Sequence, residues 1–145
     1  MKVVVQRCKG AKCTVDGNIT GQIDHGYMLL VGFTHNDNVE NIDKMVKKII
    51  NLRIFEDEMG KMNKNIIQVG GSILSISQFT LYANTNEGNR PSFTNAMKPD
   101  LASNLYNIFN AKLKEENIKV ECGIFGADMQ IDFVNDGPVT IILEF

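Results

Sequence analysis

Histidine is scarce in this chain, cysteine is few and odd in number, and positive charge is not in excess. Each shortage removes a class of chemistry. Only His25 and His35 are available as imidazole bases for a Ser-His-Asp or Cys-His site. His25 lies in Asp24-His25-Gly26, which reads as a turn, and His35 follows a strand-like run just before a helix cap. Neither stands in a local nucleophile motif. Cys8, Cys13 and Cys122 lack CxxC spacing, which argues against a disulfide framework or a zinc site. No His/Asp/Glu cluster has metal-ligand spacing, so no metal is expected. No Walker loop is present and no GxGxxG follows a strand, so nothing supports nucleotide-phosphate chemistry or a cofactor. A net charge of −2 and a pI near 5.7 argue against broad coating of nucleic acid, DNA included. The longest apolar runs, such as Tyr27 to Phe33, are of strand length, well short of the ~20 residues that span a membrane. The chain enters Val3-Val4-Val5 without a charged-then-apolar leader, so the expected location is the cytoplasm.

What is present suits one globular domain, residues 1–145. No linker, repeat or low-complexity tract divides it. Residues 2–7 read as a strand, and 11–15 with 19–23 as a hairpin around Asp16-Gly17-Asn18. Tyr27 to Thr34 is nearly all apolar and reads as a central strand covered on both faces. Val39, Ile42, Met45, Val46, Ile49 and Ile50 recur at helical spacing, with Asp37 and Glu40 placed as a capping box. Lys44, Lys47 and Lys48 fall off that stripe, and with Arg53 they read as a solvated basic face, the alternative being a local basic patch that docks one nucleic-acid end. Residues 52–55 read as a short strand and Ser72 to Phe79 as a longer one. A second helix is predicted from Pro99, with Leu101, Leu105, Ile108, Phe109 and Leu113 as its apolar stripe. Strands near 119–125, 129–135 and 138–144 complete an α+β domain. Most connections are too short for helical crossovers, which favours a mixed but mostly antiparallel, barrel-like sheet with two main helices over a doubly wound one.

Two segments put small polar groups at the ends of strand-like runs: Ser77-Gln78-Phe79-Thr80-Leu81-Tyr82-Ala83 and Asn135-Asp136-Gly137-Pro138-Val139-Thr140. The first offers two hydroxyls, an amide and backbone N–H groups, which suit either a strand leaving its sheet or an oxyanion site for an ester carbonyl. In the second, Gly137-Pro138 reads as a hairpin turn. A cis bond there would present a ledge of carbonyl acceptors able to hold an ammonium group, although X-Pro bonds are trans by default.

Taken together, these segments and Gly88-Asn89-Arg90-Pro91-Ser92-Phe93 and Phe125-Gly126-Ala127-Asp128-Met129 resemble the D-aminoacyl-tRNA deacylases. The similarity runs from Gln6-Arg7 to the final strand and includes Leu52 to Asp57 and Gly60 to Asn63. The resemblance implies a homodimer with its active sites at the subunit interface and aminoacyl-tRNA as the partner. It implies that Gly137-Pro138 is cis, enters the partner's pocket, reads the α-amino group and excludes L-amino acids by clash. Ser77, Gln78, Phe79 and Thr80 would line the ester as the catalytic set. Asn135 and Met129 join Gly137 and Pro138 as the substrate-binding set. Hydrolysis would be assisted by the 2′-hydroxyl of the terminal adenosine, with Gln78 and the Phe79 backbone holding that hydroxyl and the carbonyl, and with Thr80 orienting. Glycyl-tRNA would also be a substrate. Two other readings stay open: a non-catalytic dimeric module for RNA ends or small amino compounds, and an ester hydrolase pairing Ser77 or Thr80 with His25 or His35.

Overall fold

A computed structural model describes all residues, 1–145. Two long strands, β1 (Lys2–Val15) and β2 (Asn18–Gly32), form an antiparallel hairpin closed by Asp16-Gly17. Both turn residues have positive φ, 49° and 80°, as a tight two-residue hairpin turn requires. The hairpin expected near 11–23 is therefore the tip of a longer ribbon. α1 (Val39–Asn51) follows, then a small ribbon of β3 (Phe55–Glu56) and β4 (Met62–Lys64). β5 (Ser72–Ser77) runs into a 3-10 turn, Phe79–Tyr82. α2 (Pro99–Glu115), β6 (Val120–Cys122) and β7 (Gln130–Glu144) complete the chain.

The main sheet has the order β6-β5-β2-β1-β7 and is mixed. β1 pairs antiparallel with β2 and β7, whereas β2 with β5 and β5 with β6 are parallel. Its antiparallel pairings are much the longer, in keeping with the expected mixed, mostly antiparallel sheet, but the barrel-like part of that expectation is corrected. The two long connections, β2 to β5 and β5 to β6, carry α1 and α2, and a helical crossover returns the chain parallel. The sheet is also open: its outer strands, β6 and β7, do not pair with each other.

Both helices contribute to the larger core on one face, with Val3, Val5, Tyr27, Leu29, Val31 and Ile73 from the strands. Met28, Leu74 and Ile76 point the other way, into a smaller cluster with Cys8, Cys13 and Ile23. β2 is thus central and covered on both faces, as its unbroken apolar run predicted. Asn38, rather than Asp37, caps α1 by a reciprocal box with Asn41. Asp37 instead accepts from the Thr34 N–H at 2.7 Å and pairs with the α-ammonium of Met1 at 2.6 Å. α2 begins at Pro99 as expected, but its inward face is Ala102, Tyr106, Phe109, Asn110 and Leu113, and Leu101 is exposed.

The largest local departure lies in β7. Gly137-Pro138 is not a hairpin turn. The residues before and after it pair with the same strand: Cys8 faces Asn135 and Gln6 faces Thr140. Arg7 alone therefore stands opposite the four residues Asp136 to Val139, which bulge out of the sheet. The Gly137-Pro138 peptide is cis, and both residues are exposed.

Candidate active site

β5 ends where the Gln78 N–H donates to the Val31 carbonyl at 2.7 Å. The chain then tightens into the 3-10 turn, closed by Leu81 N–H to Gln78 O (3.3 Å) and Ala83 N–H to Thr80 O (3.0 Å). Gly32 permits this close approach, because a Cβ there would stand 2.9 Å from the Gln78 carbonyl oxygen. The first N–H groups of a helical turn have no partner within it. Here the Phe79 and Thr80 N–H groups donate to no atom of the chain, and both residues are exposed. The Gln78 amide donates to Thr80 Oγ1, which fixes both side chains. Phe79, 56% exposed, meets the ring of Phe93 edge-on at 5.0 Å. Asn84 and Ser92 bridge the loop between them through two backbone hydrogen bonds of 2.8 and 2.9 Å. The strand exit is thus a rigid, outward-facing pair of backbone donors beside a fixed amide and an aromatic wall.

The Gly137-Pro138 bulge is held from beneath. Arg7 is buried (5% exposed), and its Nη1 donates to the Ile54 carbonyl at 2.7 Å. Its Nε reaches the Asp136 carbonyl at 3.2 Å and the Asp136 carboxylate at 3.3 Å. Lys9 holds the other carboxylate oxygen at 2.9 Å. Beyond the bulge, Gln6 Oε1 accepts from Asn135 Nδ2 (3.0 Å) and from the Thr140 hydroxyl. Gly137 has φ +122°, and a Cβ on it would stand 2.8 Å from Val139 Cγ2 and 3.1 Å from Arg7 Nη2.

A family profile described as D-Tyr-tRNA(Tyr) deacylase matches residues 4–144. The chain belongs to this deacylase family. The solved structure of a c-Myc DNA Unwinding Element Binding Protein is 42% identical, with a TM-score of 0.94 over 100% of this chain and 99% of that one. A probable eukaryotic D-amino acid tRNA deacylase shares the fold, at 17% identity and a TM-score of 0.84, covering 98% of this chain and 97% of that one. Membership supports D-aminoacyl-tRNA deacylase activity, a hydrolysis.

Within one chain the two candidate segments stay apart. Ser77 stands level with Val31 on β2, Val3 on β1 and Leu143 on β7, whereas Arg7, under the bulge, stands level with Tyr27 and Ile73. Three strand spacings and four residues of strand rise separate them, about 14 Å by about 13 Å, or roughly 20 Å overall. Ser77, Gln78, Phe79 and Thr80 cluster at one place, and Asn135, Gly137 and Pro138 at another. Met129 lies nearer the first, by Ile76, the residue before Ser77. It packs on the smaller core, so close to Gly123 that a Cβ there would lie 2.4 Å from its sulfur.

The side chains that a conventional hydrolase would use are engaged elsewhere. The His25 ring bonds the Val69 carbonyl at 3.0 Å and the His35 ring the Thr94 carbonyl at 2.7 Å. Thr80 Oγ1 is hydrogen-bonded by an amide rather than a base. Burial pushes the Cys8 thiol up to about 11 and raises Cys122 as well, the opposite of an activated nucleophile. No group of three or more His, Cys, Asp or Glu side chains is arranged to hold a metal. Sequence reasoning gave no role to Arg7, Gln6 or Asp136. An arginine continuing the Val3-Val4-Val5 strand was the available signal, because a guanidinium buried there must find carbonyls or carboxylates.

Proposed function

We propose that the protein hydrolyses the ester linking a D-amino acid to the terminal adenosine of tRNA. The observation that carries this reading is the exposed start of the 3-10 turn, where the free Phe79 and Thr80 N–H groups stand beside the Gln78 amide. Such donors stabilise the oxyanion that forms when a nucleophile adds to the ester carbonyl. The 2′-hydroxyl of the substrate assists attack by water. The tetrahedral adduct then collapses, the bond to the ribose 3′-oxygen breaks, and D-amino acid and tRNA leave. Thr80 orients the Gln78 amide rather than acting as nucleophile. Catalysis of this kind rests on position and on fixed dipoles, and it requires no cofactor.

The complete site is formed by two copies of the chain. Gly137-Pro138 of the partner subunit enters this pocket, its carbonyls take the α-amino group, and Asn135 and Met129 support the substrate side. The separation of the two segments within one protomer supports this arrangement, as do the outward bulge and the exposed Val134 and Ile142 of β7. With amino and ester groups fixed, an L side chain points at the wall, so discrimination works by exclusion. Many D side chains fit, and glycine, with no side chain to exclude, is also cleaved. Substrate and protein meet in the cytoplasm, without membrane or DNA.

Two measurements test the reading. Release of free D-tyrosine from D-tyrosyl-tRNA is expected, and no release would end it. Mixing a Gln78→Ala subunit with a Gly137→Val subunit should restore activity in hybrid dimers, each carrying one intact site. No recovery from two soluble, folded variants would remove the shared pocket.

A further inference from the structure

Basic side chains are gathered at the end of α1. Lys47, Lys48, Asn51, Leu52 and Arg53 line a groove of about 540 Å³. Seven of the fifteen Lys and Arg side chains are ion-paired with a carboxylate, but Lys44, Lys47, Lys48 and Arg53 are not. The adjoining groove between α1 and α2 differs, because Lys112 there pairs with Asp43 at 2.6 Å and Glu115 and Glu116 add negative charge. Arg53 is also aimed: its Nε donates to the Asn63 carbonyl at 2.8 Å and its Nη2 to Asn63 Oδ1. Both acceptors are neutral, so its charge stays available. In a chain of net charge −2, such a cluster is a local feature and not an overflow of basic residues.

Its position gives it a partner. Arg53 adjoins Ile54, whose carbonyl shares the Arg7 guanidinium with Asp136, the residue before Gly137. The basic groove and the Gly137-Pro138 bulge are therefore tied to one buried side chain. We infer that this groove binds the ribose-phosphate backbone of the acceptor stem of the aminoacyl-tRNA whose aminoacyl end the same subunit's Gly137-Pro138 contacts. The inference rests on the deacylase reading and adds the surface that holds the nucleic acid. Phosphates complement an unpaired cation cluster, and a guanidinium held in plane suits bidentate contact with one of them. Residues outside the chemistry would then supply affinity for tRNA and not for its aminoacyl end.

The test compares two substrates with one enzyme. K47E/K48E/R53E should lower kcat/KM on D-tyrosyl-tRNA about tenfold or more at moderate salt, and the plot of log kcat/KM against log salt should become shallower by roughly 2 to 3. On 3′-O-D-tyrosyl-adenosine, which has no stem, the rate should stay within twofold. The milder K47Q/K48Q should show a smaller loss on tRNA only. Lys114→Glu, beside Cys122 at the β6 edge, should change neither. Undiminished turnover of tRNA by the triple variant, or an equal loss on both substrates, would overturn this assignment alone. Failure of the unaltered protein to hydrolyse even the adenosine ester would overturn the deacylase reading, and this assignment with it.

Discussion

Replacing Arg7 with methionine should loosen the bulge that carries Gly137-Pro138 and destabilise the fold together. The guanidinium is 5% exposed and bonds the Ile54 carbonyl, the Asp136 carbonyl and the Asp136 carboxylate. A hydrogen bond to a charged group is worth about 1.5–3 kcal/mol net, and a buried acceptor left unpaired costs about 1–3 kcal/mol. Methionine fills much of the same volume and brings no charge. Breaking a buried ion pair from one side costs about 3–5 kcal/mol. The low end applies here, because Asp136 is 28% exposed and keeps Lys9 at 2.9 Å. The expected loss is therefore about 3 kcal/mol. With an m-value of roughly 2 kcal/mol/M, the urea midpoint falls by about 1.5 M. Arg7→Lys keeps the charge but not the fork, and should fall between the two. Activity on D-tyrosyl-tRNA, measured under conditions where the variant is folded, should drop with the stability of the bulge. A loss below about 1 kcal/mol with unchanged activity would show that the bulge holds its shape without Arg7.

Three further outcomes follow from the geometry. Gly137→Ala should cost about 1–3 kcal/mol, because an alanine at φ +122° is strained and its Cβ meets Val139; a melting temperature equal to that of the unaltered protein would contradict it. Thr80→Ala should keep substantial turnover of D-tyrosyl-tRNA, since its hydroxyl has no base to activate it; complete loss in a folded variant would make Thr80 the nucleophile. Stability should fall between about pH 9 and about pH 11. Burial raises the Cys8 thiol from 9.0 to about 11, so its contribution is intact below pH 9 and lost as the unfolded chain alone ionises. The fall is worth about 3 kcal/mol for a shift of this size. Unfolding followed in Cys8→Ala should show a flatter profile over that range, and an equally steep one would assign the loss to other groups.

Much of the fold could be read from local pattern. The α1 stripe from Ile42 onward, the start of α2 at Pro99 and the two-sided burial of β2 all follow from spacing within a dozen residues, whereas Val39, counted in that stripe, is exposed. What escaped depends on residues far apart. Leu101 looked like part of the α2 stripe, yet Tyr106 takes the inward position because its hydroxyl reaches the Ser75 carbonyl at 2.7 Å. The parallel pairings of the sheet went unplaced because the two long connections were not recognised as crossovers. The bulge looked like a turn, because Gly-Pro ends many strands, and only pairing of both flanks with β1 reveals it as one strand. The site shows the same division. Ser77 to Thr80 form a single local motif and stay together in space. Arg7, more than a hundred residues before Asp136, could be connected to it only through the fold.

The most direct test of the account is a matched comparison of D-tyrosyl-tRNA and L-tyrosyl-tRNA at equal concentration. A pocket built from backbone donors and a wall against one enantiomer predicts rapid release of D-tyrosine while the L ester survives at its spontaneous rate. Equal rates on both, or no release from the D form, would contradict it.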